Sequence, residues 1–172
     1  MTTEEYLKLD SKKDKRKIQK FNKDLVKKYP WLIPGSSEED PIPKDYDYDY
    51  TWMDSMPQGW RIAFGDDLLE ELDSILRKYN YQDSYYILQI KEKYGGLRWY
   101  DSCICSEGYE DYRKCMDKYE QLSYKTCVIC GKPAEYLTKG WIVPICGKCA
   151  EEKYKGWELT PIEGEEDGEP EE

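Results

Sequence analysis

The sequence predicts an α+β fold: helices packed with a β-hairpin or small antiparallel sheet, followed by a small module held together through four cysteines. Three observations carry this. Apolar residues recur at helical spacing in GDDLLEELDSILRKYN and again in YEDYRKCMDKYEQLSY. Between them, YYILQIKEKY and LRWYDS flank Gly95-Gly96, which reads as two antiparallel strands joined by a tight turn whose glycines supply positive φ. After the second helix come two C-x2-C pairs, Cys127/Cys130 and Cys146/Cys149, separated by 15 residues.

Taken in order, residues 1–35 form a basic helix and turn. Residues 1–29 hold ten Lys or Arg against five Asp or Glu, and Ile18, Phe21, Leu25 and Tyr29 make a thin helical stripe. Ser11 is placed to cap this helix and Pro30 to end it, before Trp31, Leu32, Ile33 and Pro34 lead to a turn at Gly35. Its charged side is expected to be a solvated face rather than a nucleic-acid contact. Residues 36–54 form an acidic Tyr/Asp-rich linker, with seven acidic side chains against Lys44 alone. If DYDYDY is extended, Asp45, Asp47 and Asp49 line one edge and Tyr46, Tyr48 and Tyr50 the other.

Residues 55–124 are expected to be the α/β core of helix, hairpin and helix. The first helix has Leu68, Leu69, Leu72, Ile75, Leu76 and Tyr79 on one face, acids Asp66 and Asp67 at its start and Arg77 and Lys78 at its end, so pattern and helix dipole agree. The second runs from about Glu107 to Tyr124, with Tyr109, Tyr112, Cys115 or Met116, Tyr119 and Leu122 at helical spacing. Residues 125–160 make a treble-cysteine-type or zinc-ribbon module. Residues 161–172 are expected to be a disordered acidic tail.

The cysteine spacing fits one Zn2+ per chain, held by Cys127, Cys130, Cys146 and Cys149, each pair on a tight turn with Gly131 or Gly147 beside a ligand. An Fe-S cluster or disulfides are the alternatives. Four thiolates complete a tetrahedral shell and leave no open position, so the ion is structural. Such a site contributes an apparent ~10 to 16 kcal/mol, as much as the ~5 to 15 kcal/mol stability of an entire domain. Cys103, Cys105 and Cys115 read as ordinary half-buried cysteines, with extra ligands or a nucleophile as the alternative.

The chain contains no histidine, which excludes Ser-His-Asp and Cys-His catalysis, and it has no phosphate-binding glycine pattern. No spacing singles out a carboxylate pair among the 36 Asp and Glu, and no enzyme is expected. A net charge of -10 disfavours direct nucleic-acid binding and favours either plain solubility or a basic partner, such as a nucleic-acid-binding protein. No apolar run approaches the ~20 residues of a membrane span and MTTEEYLKLD lacks a signal-peptide core, so no membrane contact and an intracellular location are expected.

MPQGWRIAFGDDLLEEL, QIKEKYGGLRWYD, TCVICGKPAEY and GWIVPICGKCA, over roughly residues 56–150, together resemble small zinc-ribbon proteins of phages and prophages of Gram-positive bacteria. Within that group the chain resembles the type II anti-CRISPR proteins. The resemblance implies a cytoplasmic protein of the bacterial host cell that binds a Cas9-type effector and hinders loading of target DNA. It implies Cys127, Cys130, Cys146 and Cys149 as structural zinc ligands, and carries over no contact residues; the Asp45 to Tyr50 edges are the candidate partner surface. The alternative is a zinc-ribbon nucleic-acid-binding or transcription adaptor, favoured by Lys125, Lys132, Lys139 and Lys148 near the cysteines.

Overall fold

The computed structural model describes residues 1–35, 41–102 and 106–162. The acidic residues 163–172, the linker residues 36–40, Cys103 and Cys105 lie outside that set.

Helix α1, Thr3–Tyr6, begins with a reciprocal cap: Thr2 Oγ1 accepts from the Glu5 amide, and the Glu5 carboxylate accepts from the Thr2 amide. Helix α2, Lys15–Lys28, starts after Asp14 rather than at Ser11, which is exposed. Its buried residues are Asn22 and Val26, with Ile18, Phe21 and Leu25 half-buried beside them, so of the predicted stripe only Tyr29, just past the helix, is fully buried. Pro30 ends α2 and opens a 3-10 turn, Pro30–Leu32, where its missing N–H costs nothing. The turn drives Trp31 and Leu32 into the core, and Trp31 Nε1 donates to Asp73 Oδ1 at 3.2 Å.

A second 3-10 turn, Trp52–Ser55, is capped by Thr51 and Asp54 and buries Met53. The long helix then starts earlier than its polar periodicity suggests. Helix α3, Gln58–Trp60, continues through a π-helical turn, Arg61–Gly65, into α4, Asp66–Lys78. Trp60, Phe64 and Leu68 are all buried at intervals of four, a spacing that the wider π turn keeps on one side before the ordinary pattern of Leu69, Leu72 and Leu76 takes over.

Strands β1, Ile87–Lys93, and β2, Gly96–Asp101, form the expected antiparallel hairpin, with Ile90 opposite Trp99 and Lys93 opposite Gly96. Its two-residue turn is therefore Tyr94-Gly95, with φ of 54° and 80°, and not Gly95-Gly96. Helix α5, Tyr109–Tyr124, packs along β2 and α4; it buries Tyr112, Cys115, Tyr119 and Ser123 but leaves Tyr109 and Leu122 exposed. Ser123 Oγ accepts from the Leu97 amide at 2.8 Å, extending the edge of β2.

The C-terminal part has a small sheet in the order β4-β3-β5, formed by Tyr136–Thr138 (β3), Pro144–Ile145 (β4) and Leu159–Pro161 (β5), with helix α6, Gly147–Lys153, between β4 and β5. Among the described residues the chain is thus α+β with two small antiparallel sheets. One core cluster unites Trp31 and Leu32 of the basic segment, Met53 of the expected linker and the leucines of α4; Val128 of the cysteine module packs against this cluster and against its own. Packing crosses the expected boundaries at 35, 54 and 124. Among the described residues, no helix is long and apolar enough to cross a membrane.

Candidate metal centre

The first cysteine pair sits on a knuckle. Thr126 bridges Pro133, the Cys127 amide donates to Lys132 O at 2.8 Å, and the Gly131 amide returns to Cys127 O at 3.0 Å. The second pair is built differently: Cys146 immediately precedes α6 and Cys149 lies in its first turn, where the Ala150 amide donates to Cys146 O at 2.9 Å. Only the first pair occupies the tight turn expected of both. The β3–β4 hairpin brings the pairs together, with the Val128 amide donating to Pro144 O at 3.0 Å just before Cys146.

All four sulfur atoms lie within 4.8 Å of one another, and Cys130 Sγ is 3.6 Å from Cys146 Sγ. A tetrahedron with ~2.3 Å metal–sulfur bonds has edges of about 3.8 Å, so this cluster can hold a metal ion. Cys127, Cys146 and Cys149 are buried and Cys130 is partly exposed. Burial raises the Cys127 thiol, but amides of Cys130, Cys146 and Ile129 pointing at its sulfur outweigh this and hold it below the ordinary value. Burial and the neighbouring thiols push Cys149 upward. Lys132, Lys148 and Lys153 line a cleft of about 330 Å³ together with Cys130, Cys149, Glu4 and Glu152, and Lys148 lies 3.8 Å from Glu152, so the carboxylates offset most of the positive charge beside the cysteines. Of the other lysines noted near the cysteines, Lys139 pairs with Glu158.

The six residues from Asp45 to Tyr50 are not extended. Tyr48 has φ of 66°, and the segment curls so that the Tyr46 ring lies 5.0 Å from Tyr48 and 5.8 Å from Tyr50. Tyr46 OH donates to Tyr50 O at 2.6 Å. The reason is long-range pairing: Lys15 of α2 takes Asp47 at 3.0 Å and Asp49 at 2.8 Å, and Asn22 Nδ2 donates to Tyr48 O. Hydrogen bonding to Lys15 lowers the Asp47 carboxyl. Asp45 has no ion-pair partner among the described residues, and Asp45, Asp47, Asp49, Tyr46 and Tyr50 line one exposed cleft of about 340 Å³.

Cys115 stands apart from the metal cluster, buried between α4 and α5, where burial and then the Glu71 carboxylate push its thiol up to about 12. Two features escaped sequence reasoning. Arg61, 2% exposed, donates to Asp54 at 2.6 Å beneath the Tyr6 ring. Gly59 and Trp60 weld the knuckle to the core: the Gly59 amide donates to Val128 O at 2.8 Å and Trp60 Nε1 to Thr126 O at 2.9 Å. The available signal was the small residue beside a tryptophan in MPQGW. Compared with family models, curated proteins and solved structures, the chain matches none.

Proposed function

We propose that this protein is a non-catalytic binding protein, held by one structural zinc ion, that occupies a basic nucleic-acid-handling surface on another protein. The resemblance narrows that partner to a type II CRISPR effector whose loading of target DNA it hinders. The donor set supports zinc, since four soft thiolates at tetrahedral spacing suit it and leave no open position for chemistry.

The observation that carries the partner is the cleft at Asp45 to Tyr50. Three carboxylates and two tyrosine rings converge there on one exposed concavity, a chemistry that takes the Lys or Arg of a positively charged channel by ion pairing and by ring contact. Asp47 and Asp49 also fasten the segment to Lys15, so Asp45 is the carboxylate free to meet a partner.

The test adds purified protein to an effector loaded with guide RNA and measures binding of target duplex. Stoichiometric protein is expected to lower that binding, less so at high salt, and Asp45→Lys to weaken the effect while leaving the fold intact. Undiminished duplex binding across a panel of such effectors, at excess protein, would refute the inhibitor. A duplex shift produced by the protein alone would point to the nucleic-acid adaptor instead.

A further inference from the structure

Tyr94 breaks a local rule. It occupies the first position of a two-residue hairpin turn with φ of 54°, a conformation that favours Asn, Asp or Gly and disfavours an aromatic residue. No burial compensates, because the side chain is 69% exposed. The turn is nevertheless held firmly, with Glu92 Oε1 accepting from the Gly95 amide at 2.7 Å. A ring is being held out from the molecule at a conformational cost.

Beside it, the β3–β4 loop does the same with Trp141, which is 70% exposed. The loop is pinned from within: buried Thr138 donates through Oγ1 to Trp141 O and accepts from the Val143 amide at 2.9 Å. Tyr94, Trp141 and Ile142, with Gly140, Lys93 and Glu92, line one cleft of about 230 Å³ between the two turns, and the Glu92 carboxylate there is engaged by the Gly95 amide. Of the cleft residues, Lys93 also belongs by register to the outer face of the hairpin. Register places Lys91 opposite Arg98 and Gln89 opposite Tyr100 on that face, where Arg98 is already paired with Glu120 of α5 at 2.6 Å, while Ile90, Leu97 and Trp99 point to the other. Lys91 Nζ lies 5.2 Å from the Tyr100 ring centre and Lys93 Nζ 5.4 Å from that of Tyr94. Neither lysine has a carboxylate partner among the described residues.

We propose that this face binds single-stranded nucleic acid, with bases stacking on Tyr94 and Trp141 and phosphates meeting Lys91 and Lys93. Exposed rings, each preset on a pinned turn, supply sequence-tolerant stacking, and unpaired cations two residues apart on one strand, about 6.6 Å, supply the backbone contact. The negative charge is unevenly placed: residues 36–54 contribute -6 and residues 163–172 contribute -7 to the total of -10, so the remainder of the chain is at +3 with neutral cysteines and about +1 with four thiolates around one Zn2+. The surface is separate from the acidic cleft at Asp45 to Tyr50, and the proposal stands or falls independently of the inhibitor reading.

The experiment is fluorescence anisotropy of a labelled mixed-sequence 12-nucleotide single strand, and of the matching duplex, titrated with the full chain prepared with zinc. Single strand is expected to bind more tightly than duplex, with affinity falling as salt rises. Tyr94→Asn removes the ring and installs the favoured Asn-Gly turn, so it is expected to keep or raise the melting temperature while weakening binding roughly five- to a hundredfold, the range measured for one stacked base. Trp141→Ala is expected to do the same to binding at unchanged zinc content. Lys91→Gln with Lys93→Gln is expected to flatten the slope of log affinity against log salt by about 1.4. No single-strand binding at low salt, equal or tighter binding of duplex, or wild-type affinity in both ring variants would each overturn the proposal. So would displacement of the oligonucleotide by nothing but acidic peptide, which would assign the face to a protein partner.

Discussion

Replacing Gly59 with Ala tests how the metal knuckle is joined to the core. A Cβ at Gly59 would lie 2.6 Å from Val128 C and 2.8 Å from Gly131 N, and closer still to the Cys127 carbonyl oxygen. All three are backbone atoms beside metal ligands, so none can rotate away. The helix must retreat or the knuckle must open. Retreat breaks the Gly59 to Val128 and Trp60 to Thr126 hydrogen bonds and uncovers Trp60, which is fully buried. Overpacking of this kind costs ~1 to 3 kcal/mol. Two buried polar pairs left unmade add about 1 to 3 kcal/mol each. A total of roughly 3 to 9 kcal/mol is a large part of the ~5 to 15 kcal/mol that holds a typical domain. Urea unfolding should show a sharply lowered midpoint, and a chromogenic chelator should strip zinc from Gly59→Ala much faster than from the parent. Gly65→Ala is the control: its nearest contact is the flexible Met53 Cε at 3.2 Å and its backbone is helical, so the change should be neutral or stabilise by up to about 1 kcal/mol. A Gly59→Ala protein with the parent's midpoint and metal retention would refute the backbone-to-backbone joint.

Cys146→Ser should bind less than one zinc per chain and lose hydrogen-exchange protection at the amides of Cys127, Val128 and Glu135, while α4 stays protected; full protection without metal would show that the ion is not the clamp. Asp54→Asn should destabilise by ~3 to 5 kcal/mol, because it leaves the buried Arg61 guanidinium without its counter-charge, and Arg61→Met in the same background should recover part of the loss in thermal unfolding. Alkali should weaken the fold. Burial and then Asp54 push the Tyr6 phenol up to about 12, and burial and then Glu71 do the same to the Cys115 thiol. Both folded-state values are raised, so their contribution is whole below the unfolded values of ~8.5 for thiol and ~10 for phenol and is lost as pH climbs toward 12. The urea midpoint should hold near pH 8 and fall by pH 10.5; a level midpoint across that range would contradict the burial of these groups.

Helix α4, the hairpin, α5 and the set of four cysteines were legible because each is written in a short-range code. A helix face repeats every three or four residues, a strand alternates every two, and a metal pair announces itself within four positions. These patterns also located part of the core, including Leu68, Leu72 and Tyr119, but not Met53, Trp60 or Phe64. They misplaced the turn at Gly95-Gly96, because two adjacent glycines outweigh a tyrosine in any local reckoning, whereas the register of β1 against β2 seats Tyr94 at positive φ. They also showed a straight acidic edge at DYDYDY, where Lys15, 32 residues before Asp47, curls the chain.

By itself the sequence determined α2, α4 and α5, the hairpin and which cysteines belong together, since those depend on neighbours along the chain. Tertiary structure alone decided which faces meet. Trp60 finds Thr126 across 66 residues, Gly59 is small because the knuckle backbone passes against it, and Tyr94 and Trp141 become neighbours only when the hairpin and the metal module dock. Such contacts close long loops whose partners share no period and no motif, so nothing local records them until packing brings the atoms within reach.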